Sequence, residues 1–168
     1  MPKPPKETDH YCTPRWVWEP LASAFQHILL DPCWNENSTV EAVTCYDGKS
    51  TGDGLEEPWV AGSCRDGLVF VNPPYSDPDP WVRKCHETGI RGQSVVALLK
   101  MDSAVERWRR YCRTATICLL DKRVAFELGG KAVPAPWSSV LVYWGNRPGI
   151  FIEAAAPYGD TRLGNDDT

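Results

Sequence analysis

The sequence predicts an α/β fold: a mostly parallel sheet with helices between its strands, ending in an antiparallel hairpin near the C-terminus. Three observations carry this prediction. Unbroken apolar runs rich in β-branched and aromatic residues stand within 67–71, 94–99 and 138–144, and runs of that length are strands covered on both faces. Helical stretches separate the strands through the middle of the chain, as parallel connections require. Beyond residue 116, strand patterns follow one another with turn residues between them, as in antiparallel pairs.

The elements follow in order. Residues 1–8, rich in Pro and Lys, are expected to be a disordered tail. Thr13 suits an N-cap and Pro14 the first helical position, for a helix burying Trp16, Val17, Leu21, Ala24 and Phe25; Pro20 should kink that helix or end its first part. A strand at 27–30 stops at Asp31-Pro32-Cys33. Residues 40–46 hold a short strand, and Asp53-Gly54-Leu55 with Trp59 form a surface loop. The strand at 67–71 must stop at Asn72, because neither Pro73 nor Pro74 can donate a ladder hydrogen bond. Asp79 then caps a helix over 81–88, with Pro80 at its first position. After the strand at 94–99, Ser103 caps a helix with Val105, Trp108, Tyr111 and Cys112 on one face and Arg107, Arg109, Arg110 and Arg113 on the others. Strands at 116–120 and 124–128 pair with each other or with a neighbour, 129–137 is a Gly- and Pro-rich loop, and 138–144 is the last strand. The chain reads as one domain over 9–158, followed by a flexible polar tail at 159–168.

Composition narrows the function. The 168 residues suffice for one domain with a real core. No apolar run approaches the length of a membrane span and the N-terminus has no signal-peptide character. Seven scattered cysteines without a C-x-x-C pair suit free thiols in a reducing cytosol better than a disulfide framework or a zinc site. The net charge of −4 hides an asymmetry: residues 1–80 carry 5 Lys+Arg against 13 Asp+Glu, whereas 81–131 carry 11 against 5. A polyanion can dock on the second segment although the chain is acidic; a solvated helix face accounts for it equally well. There is no glycine-rich phosphate loop.

Asn72-Pro73-Pro74-Tyr75 is the densest chemical signal. It is a stiff tetrapeptide at the carboxyl end of a buried strand, where open α/β sheets bind ligands. The Asn72 side-chain oxygen and the Pro73 carbonyl can each accept one N–H of an exocyclic amine. Held in place, they favour the transition state in which that nitrogen pyramidalises and becomes positive. Tyr75 can stack on a planar acceptor, worth about 1–3 kcal/mol per base. A Pro-Pro turn ending a core strand is the alternative. For Thr13, helix capping alone is the alternative to binding a carboxylate; for Asp31, a turn acid before proline is the alternative to holding an ammonium.

Taken in order, Tyr11-x-Thr13-Pro14, Leu30-Asp31-Pro32-Cys33, Asp53-Gly54-Leu55 with Trp59, Asn72-Pro73-Pro74-Tyr75, Arg123-Val-Ala-Phe126 and Pro136-Trp-Ser-Ser139 resemble the small phage and prophage DNA N6-adenine methyltransferases of the Dam-like group. The resemblance implies a compact, Rossmann-like class I methyltransferase fold without a large recognition domain. It implies S-adenosylmethionine as cofactor, double-stranded DNA as partner, no metal, and a cytoplasmic protein in a bacterial host; a monomer is expected. It places Asn72, Pro73, Pro74 and Tyr75 around a flipped adenine. Tyr11, Thr13, Pro14, Asp31, Pro32, Asp53 and Asn72 become cofactor contacts, with Asp31 at the cofactor's amino group. Arg107, Arg109, Arg110, Lys122 and Arg123 become DNA contacts within a basic region at 100–135. Two departures stand out: Asp31-Pro32-Cys33 replaces a glycine-rich loop, and an insertion at 61–66 blurs the match at Asp53. The same tetrapeptide also serves RNA adenine and protein glutamine methylation, and related ones serve cytosine N4. A non-catalytic DNA- or cofactor-binding derivative of the fold is the rival of a different class. The two biological roles open to such an enzyme are protection from restriction and regulation of expression.

Overall fold

A computed structural model describes residues 4–59 and 66–165. A seven-stranded sheet forms its centre, in the order β2-β1-β3-β4-β8-β5-β9. The strands are β1 (Ile28–Asp31), β2 (Ala42–Cys45), β3 (Leu68–Val71), β4 (Val95–Lys100), β5 (Thr116–Leu120), β8 (Ser139–Trp144) and β9 (Gly159–Arg162); β6 (Ala125–Leu128) and β7 (Lys131–Pro134) make a separate two-stranded sheet. β2, β1, β3 and β4 run parallel, β8 lies antiparallel between β4 and β5, and β9 is antiparallel to β5. The mostly parallel α/β architecture is therefore as expected.

The continuous apolar runs divide by alternation between two cores. Leu68, Phe70, Val96, Leu98, Leu141 and Tyr143 face α1 (Arg15–Ala24) and α3 (Pro148–Ala155). Val69, Val71, Val95, Ala97, Val140, Val142 and Trp144 face the other way, towards Val82 and Cys85 of α2 (Asp79–Gly89) and the π-helical turn Trp108–Cys112. All four residues of β3 are fully buried. β3 thus has no face left for solvent, and whatever follows it emerges at a covered edge of the sheet.

Several expectations change. The strand at 124–128 pairs with neither β5 nor a neighbour in the main sheet. It folds back on β7 through Gly129 and Gly130, both at positive φ (57° and 77°), which make a two-residue hairpin turn inside the expected 129–137 loop. Both edges of β5 are already taken, by β8 and β9. The expected flexible tail begins with β9, whose polar sequence concealed a strand held by backbone pairing; residues 166–168 lie outside the described ones. Order begins before residue 9, because Glu7–His10 form a 3-10 turn; residues 1–3 are not among those described. Pro14, not Thr13, occupies the N-cap of α1, no side chain caps it, and the helix runs through Pro20. α2 starts at Asp79 with Pro78 at its N-cap, because the Asp79 carboxylate accepts from Arg107 at 2.9 Å instead of capping. The helix expected from Ser103 shrinks to a π turn closed by Arg113 N–H donating to the Trp108 carbonyl at 2.8 Å. α3, which buries Phe151 and Ala155, went unread in the sequence.

Candidate active site

The tetrapeptide leaves β3 at the carboxyl edge of the parallel strands. A cavity of about 500 Å³ opens there, within the range of roughly 300–1,000 Å³ usual for small-molecule sites. Its walls come from the ends of three adjacent strands: Pro32 and Cys33 after β1, Tyr46 and Asp47 after β2, Asn72 and Pro74 after β3. Asp9 and His10, residues 34–37, Gly48 and Lys49, Asp53 and Gly54, and Trp81 of α2 complete it. A groove of about 840 Å³ lies between α2 and the Trp108–Cys112 turn, but it holds no residue of the tetrapeptide, and Trp59 in its wall adjoins the undescribed residues 60–65. The insertion expected at 61–66 lies, Asp66 apart, outside the described residues.

Asn72 is half-buried and its two amide atoms differ. Nδ2 donates to the Tyr11 carbonyl at 2.8 Å. Oδ1 is buried and has no hydrogen-bond partner. An unpaired buried acceptor costs about 1–3 kcal/mol, a cost that a donor brought to Oδ1 would remove. Pro73, the next residue, is buried. The Tyr75 ring sits in an aromatic cluster with Trp137 (5.0 Å between centroids), Phe126 (5.8 Å) and Tyr11 (6.4 Å), and Tyr11 stacks on Phe126 at 5.1 Å. Four of the sequence motifs, far apart in the chain, thus meet around one ring. Burial pushes the Tyr75 hydroxyl above its ordinary value despite the nearby Trp137 indole. Neither the hydroxyl nor the Trp137 N–H reaches a partner at good geometry.

Asp31 ends β1 and is 4% exposed, beneath the wall formed by Pro32 and Cys33. Its carboxylate accepts from the Cys33 N–H at 3.0 Å. Burial outweighs that bond and raises the Asp31 pKa to about 7. Asp53 is exposed on the cavity wall and accepts from the Leu55 N–H at 2.8 Å. Gly54 lies flat on the Pro32 carbonyl: a Cβ there would stand 2.1 Å from that oxygen and 2.9 Å from the Trp81 ring. Lys84 of α2 fixes this loop by donating to the carbonyls of Gly54, Leu55 and Glu57 at 2.6–3.0 Å. It also lies over the Trp59 ring. The Asp53-Gly54-Leu55 and Trp59 motif is therefore a fastened wall.

Of the expected cofactor residues, Pro32, Asp53 and Asn72 line one cavity. Thr13 and Pro14 are buried at the start of α1 and do not line it, nor do Asp31 and Tyr11, whose carbonyl accepts from Asn72 Nδ2. Sequence reasoning missed Asp9, Glu36 and Asp47. Four acids face the cavity with one lysine, Lys49, and one histidine, His10. Asp47 stands two residues past β2 as Asp31 stands at the end of β1, a signal the sequence offered. The Thr51 and Lys49 N–H groups and the Ser50 hydroxyl hold its carboxyl well below the usual range. Among the expected DNA contacts, Arg107 bridges to Asp79 and Arg110 to Glu106. Arg109 and Arg123 are exposed, and the Lys122 ammonium lies 4.5 Å from the Trp16 ring centre.

A family model described as DNA N-6-adenine-methyltransferase (Dam) matches residues 2–152. No curated protein matches the chain.

Proposed function

The chain belongs to the DNA N-6-adenine-methyltransferase (Dam) family, and from that premise we propose how its own residues place a methyl group on adenine N6 in DNA. The strand order supports a Rossmann-like class I arrangement: parallel strands covered on both faces, with a cavity at their carboxyl ends. S-adenosylmethionine, when bound, supplies a sulfonium methyl, and its positive charge suits a cavity walled by four acids better than nucleotide phosphates would. Pro32, Asp53 and the backbone around Gly54 hold one side of the cofactor. Asp31 turns its carboxylate to the amino group from beneath, and Asn72 closes the cavity towards the acceptor. The segment Tyr11-Cys12-Thr13-Pro14 acts by placing the Tyr11 carbonyl.

The observation that carries the reading is that Asn72 lines that cavity while its Oδ1 is buried and unpartnered. It accepts one N–H of the adenine amine while the Pro73 carbonyl accepts the other. Both acceptors gain as the nitrogen turns tetrahedral and positive, so they lower the barrier more than they tighten ground-state binding. The proton leaves to water after transfer, since an amide is no base. Adenine reaches this corner flipped out of the duplex, at a cost of a few kcal/mol that stacking on Tyr75 offsets. Arg107, Arg109, Arg110, Lys122 and Arg123 hold the phosphates. Arg107 is tied to Asp79 just past the tetrapeptide, and Lys122 and Arg123 follow β5 at the same edge of the sheet. We place the protein in the cytoplasm as a monomer; among the described residues no helix is long and apolar enough to cross a membrane.

The test is incubation with DNA and methyl-labelled cofactor, followed by nucleoside analysis. Label is expected in N6-methyladenine, and label in cytosine or protein instead would overturn the acceptor assignment. Asn72→Ala should bind cofactor nearly as well while kcat falls about 10²–10³-fold; undiminished turnover would remove Asn72 from the mechanism.

A further inference from the structure

An asparagine amide can present its oxygen or its NH₂ to the same neighbour at almost no steric cost, and only the oxygen can accept from an amine. Something must therefore choose the orientation of Asn72. The Tyr11 carbonyl does so: it can only accept, it takes Nδ2 at 2.8 Å, and Oδ1 is left facing the other way. The opposite orientation would set two oxygens against each other.

The Tyr11 carbonyl is itself held from both sides. On one side, Cys12 exchanges both backbone hydrogen bonds with Glu127 of β6, at 2.9 and 3.0 Å. On the other, Asp9 grips Ser76, the residue after Tyr75: Oδ1 accepts from the Ser76 N–H at 2.8 Å and Oδ2 from the Ser76 hydroxyl at 2.6 Å. Oδ2 also accepts from the Lys6 N–H at 2.8 Å. Burial alone would raise the Asp9 carboxyl, but these donors hold it below its ordinary value, so it stays charged. Asp9 and Ser76 are 67 residues apart.

We propose that Asp9 is a positioning residue for methyl transfer. Through Ser76 it clamps the N-terminal segment onto the tetrapeptide loop, so that the Tyr11 carbonyl keeps the Asn72 oxygen turned to the acceptor. The inference rests on the role given to Asn72 above. Asp9 touches neither acceptor nor methyl group in this scheme, although it also lines the cavity, so cofactor affinity is measured alongside turnover.

The test is a double-mutant cycle with Asp9→Ala and Asn72→Ala, read as kcat with labelled cofactor and DNA. Asp9→Ala should lower kcat about tenfold or more, the equivalent of one or two lost charge-assisted hydrogen bonds, with cofactor Kd changed less than about threefold. Asp9→Asn, which keeps one acceptor, should fall between. In the Asn72→Ala background the same change should cost less than about twofold, because the group it positions is gone. Equal losses in both backgrounds would overturn the proposal. A second readout does not depend on turnover: in ¹⁵N-labelled protein the Asn72 side-chain NH₂ should show slowed hydrogen exchange, lost in Asp9→Ala. Unchanged protection in that variant would also overturn it. If the unmodified protein puts no label on DNA adenine, the catalytic reading fails, and the exchange experiment still decides whether Asp9 holds the amide.

Discussion

Gly54→Ala tests the cofactor cavity directly. The added Cβ would sit 2.1 Å from the Pro32 carbonyl oxygen and 2.9 Å from the Trp81 ring. Side-chain carbons do not approach backbone oxygens closer than about 3 Å, so the two walls must part by roughly 1 Å. Overpacking of that kind costs about 1–3 kcal/mol. For a chain of this size each kcal/mol lowers Tm by about 2–4 °C, so a fall of about 2–12 °C is expected by calorimetry. Pro32, Gly54 and Trp81 all line the cavity. Cofactor Kd, measured by calorimetric titration, should therefore rise about tenfold or more, while kcat at saturating cofactor changes little because the atoms nearest the added carbon belong to Pro32 and Trp81, not to Asn72. Gly149→Ala is the control. It lies in the first turn of α3 with nothing within 4 Å of the added carbon; it should leave Kd unchanged and hold or slightly raise Tm. A Gly54→Ala protein with lowered Tm and unaltered Kd would show that the cofactor binds elsewhere.

Three further outcomes are expected. The Asp31 carboxyl titrates near pH 7 in the fold and near 3.8 unfolded. The fold thus holds the proton more tightly, and stability falls as pH rises from about 4 to 7, by up to about 4 kcal/mol. Asp31→Asn should flatten that slope in a Tm-against-pH series without cofactor; parallel curves for the two proteins would refute the assignment. Lys84→Met keeps the aliphatic stem but strands three carbonyls, so it should cost about 1.5–3 kcal/mol in urea unfolding and weaken cofactor binding through the Gly54 loop; an unchanged midpoint would count against the fastening role. Arg109→Ala should lower the slope of log K against log salt by about 1 and weaken DNA binding, whereas Arg110→Ala, already paired with Glu106, should do less; equal and negligible effects would move the DNA to another face.

Much of this protein was readable one segment at a time. β1, β3, β4, β5 and β8 were each announced by a short apolar run, because a strand covered on both faces needs no polar residue. The end of β3 at Asn72 followed from two prolines without N–H groups. Those are properties of neighbours in the chain, and elementary sterics decides them. The choice of partners was not readable. The Gly129-Gly130 turn satisfies β6 locally while β8 and β9 occupy both edges of β5, so the hairpin stands apart. β9 carries no apolar pattern, because an exposed edge strand is held by its backbone. The same division runs through the site. The residue types of the tetrapeptide name the chemistry, but which atom of Asn72 faces the acceptor depends on a carbonyl 61 residues away, and the hold of Asp9 on Ser76 spans a similar distance. A hydrogen bond between such groups exists only once the sheet has brought the strand ends together, and for that reason only the tertiary structure could decide it.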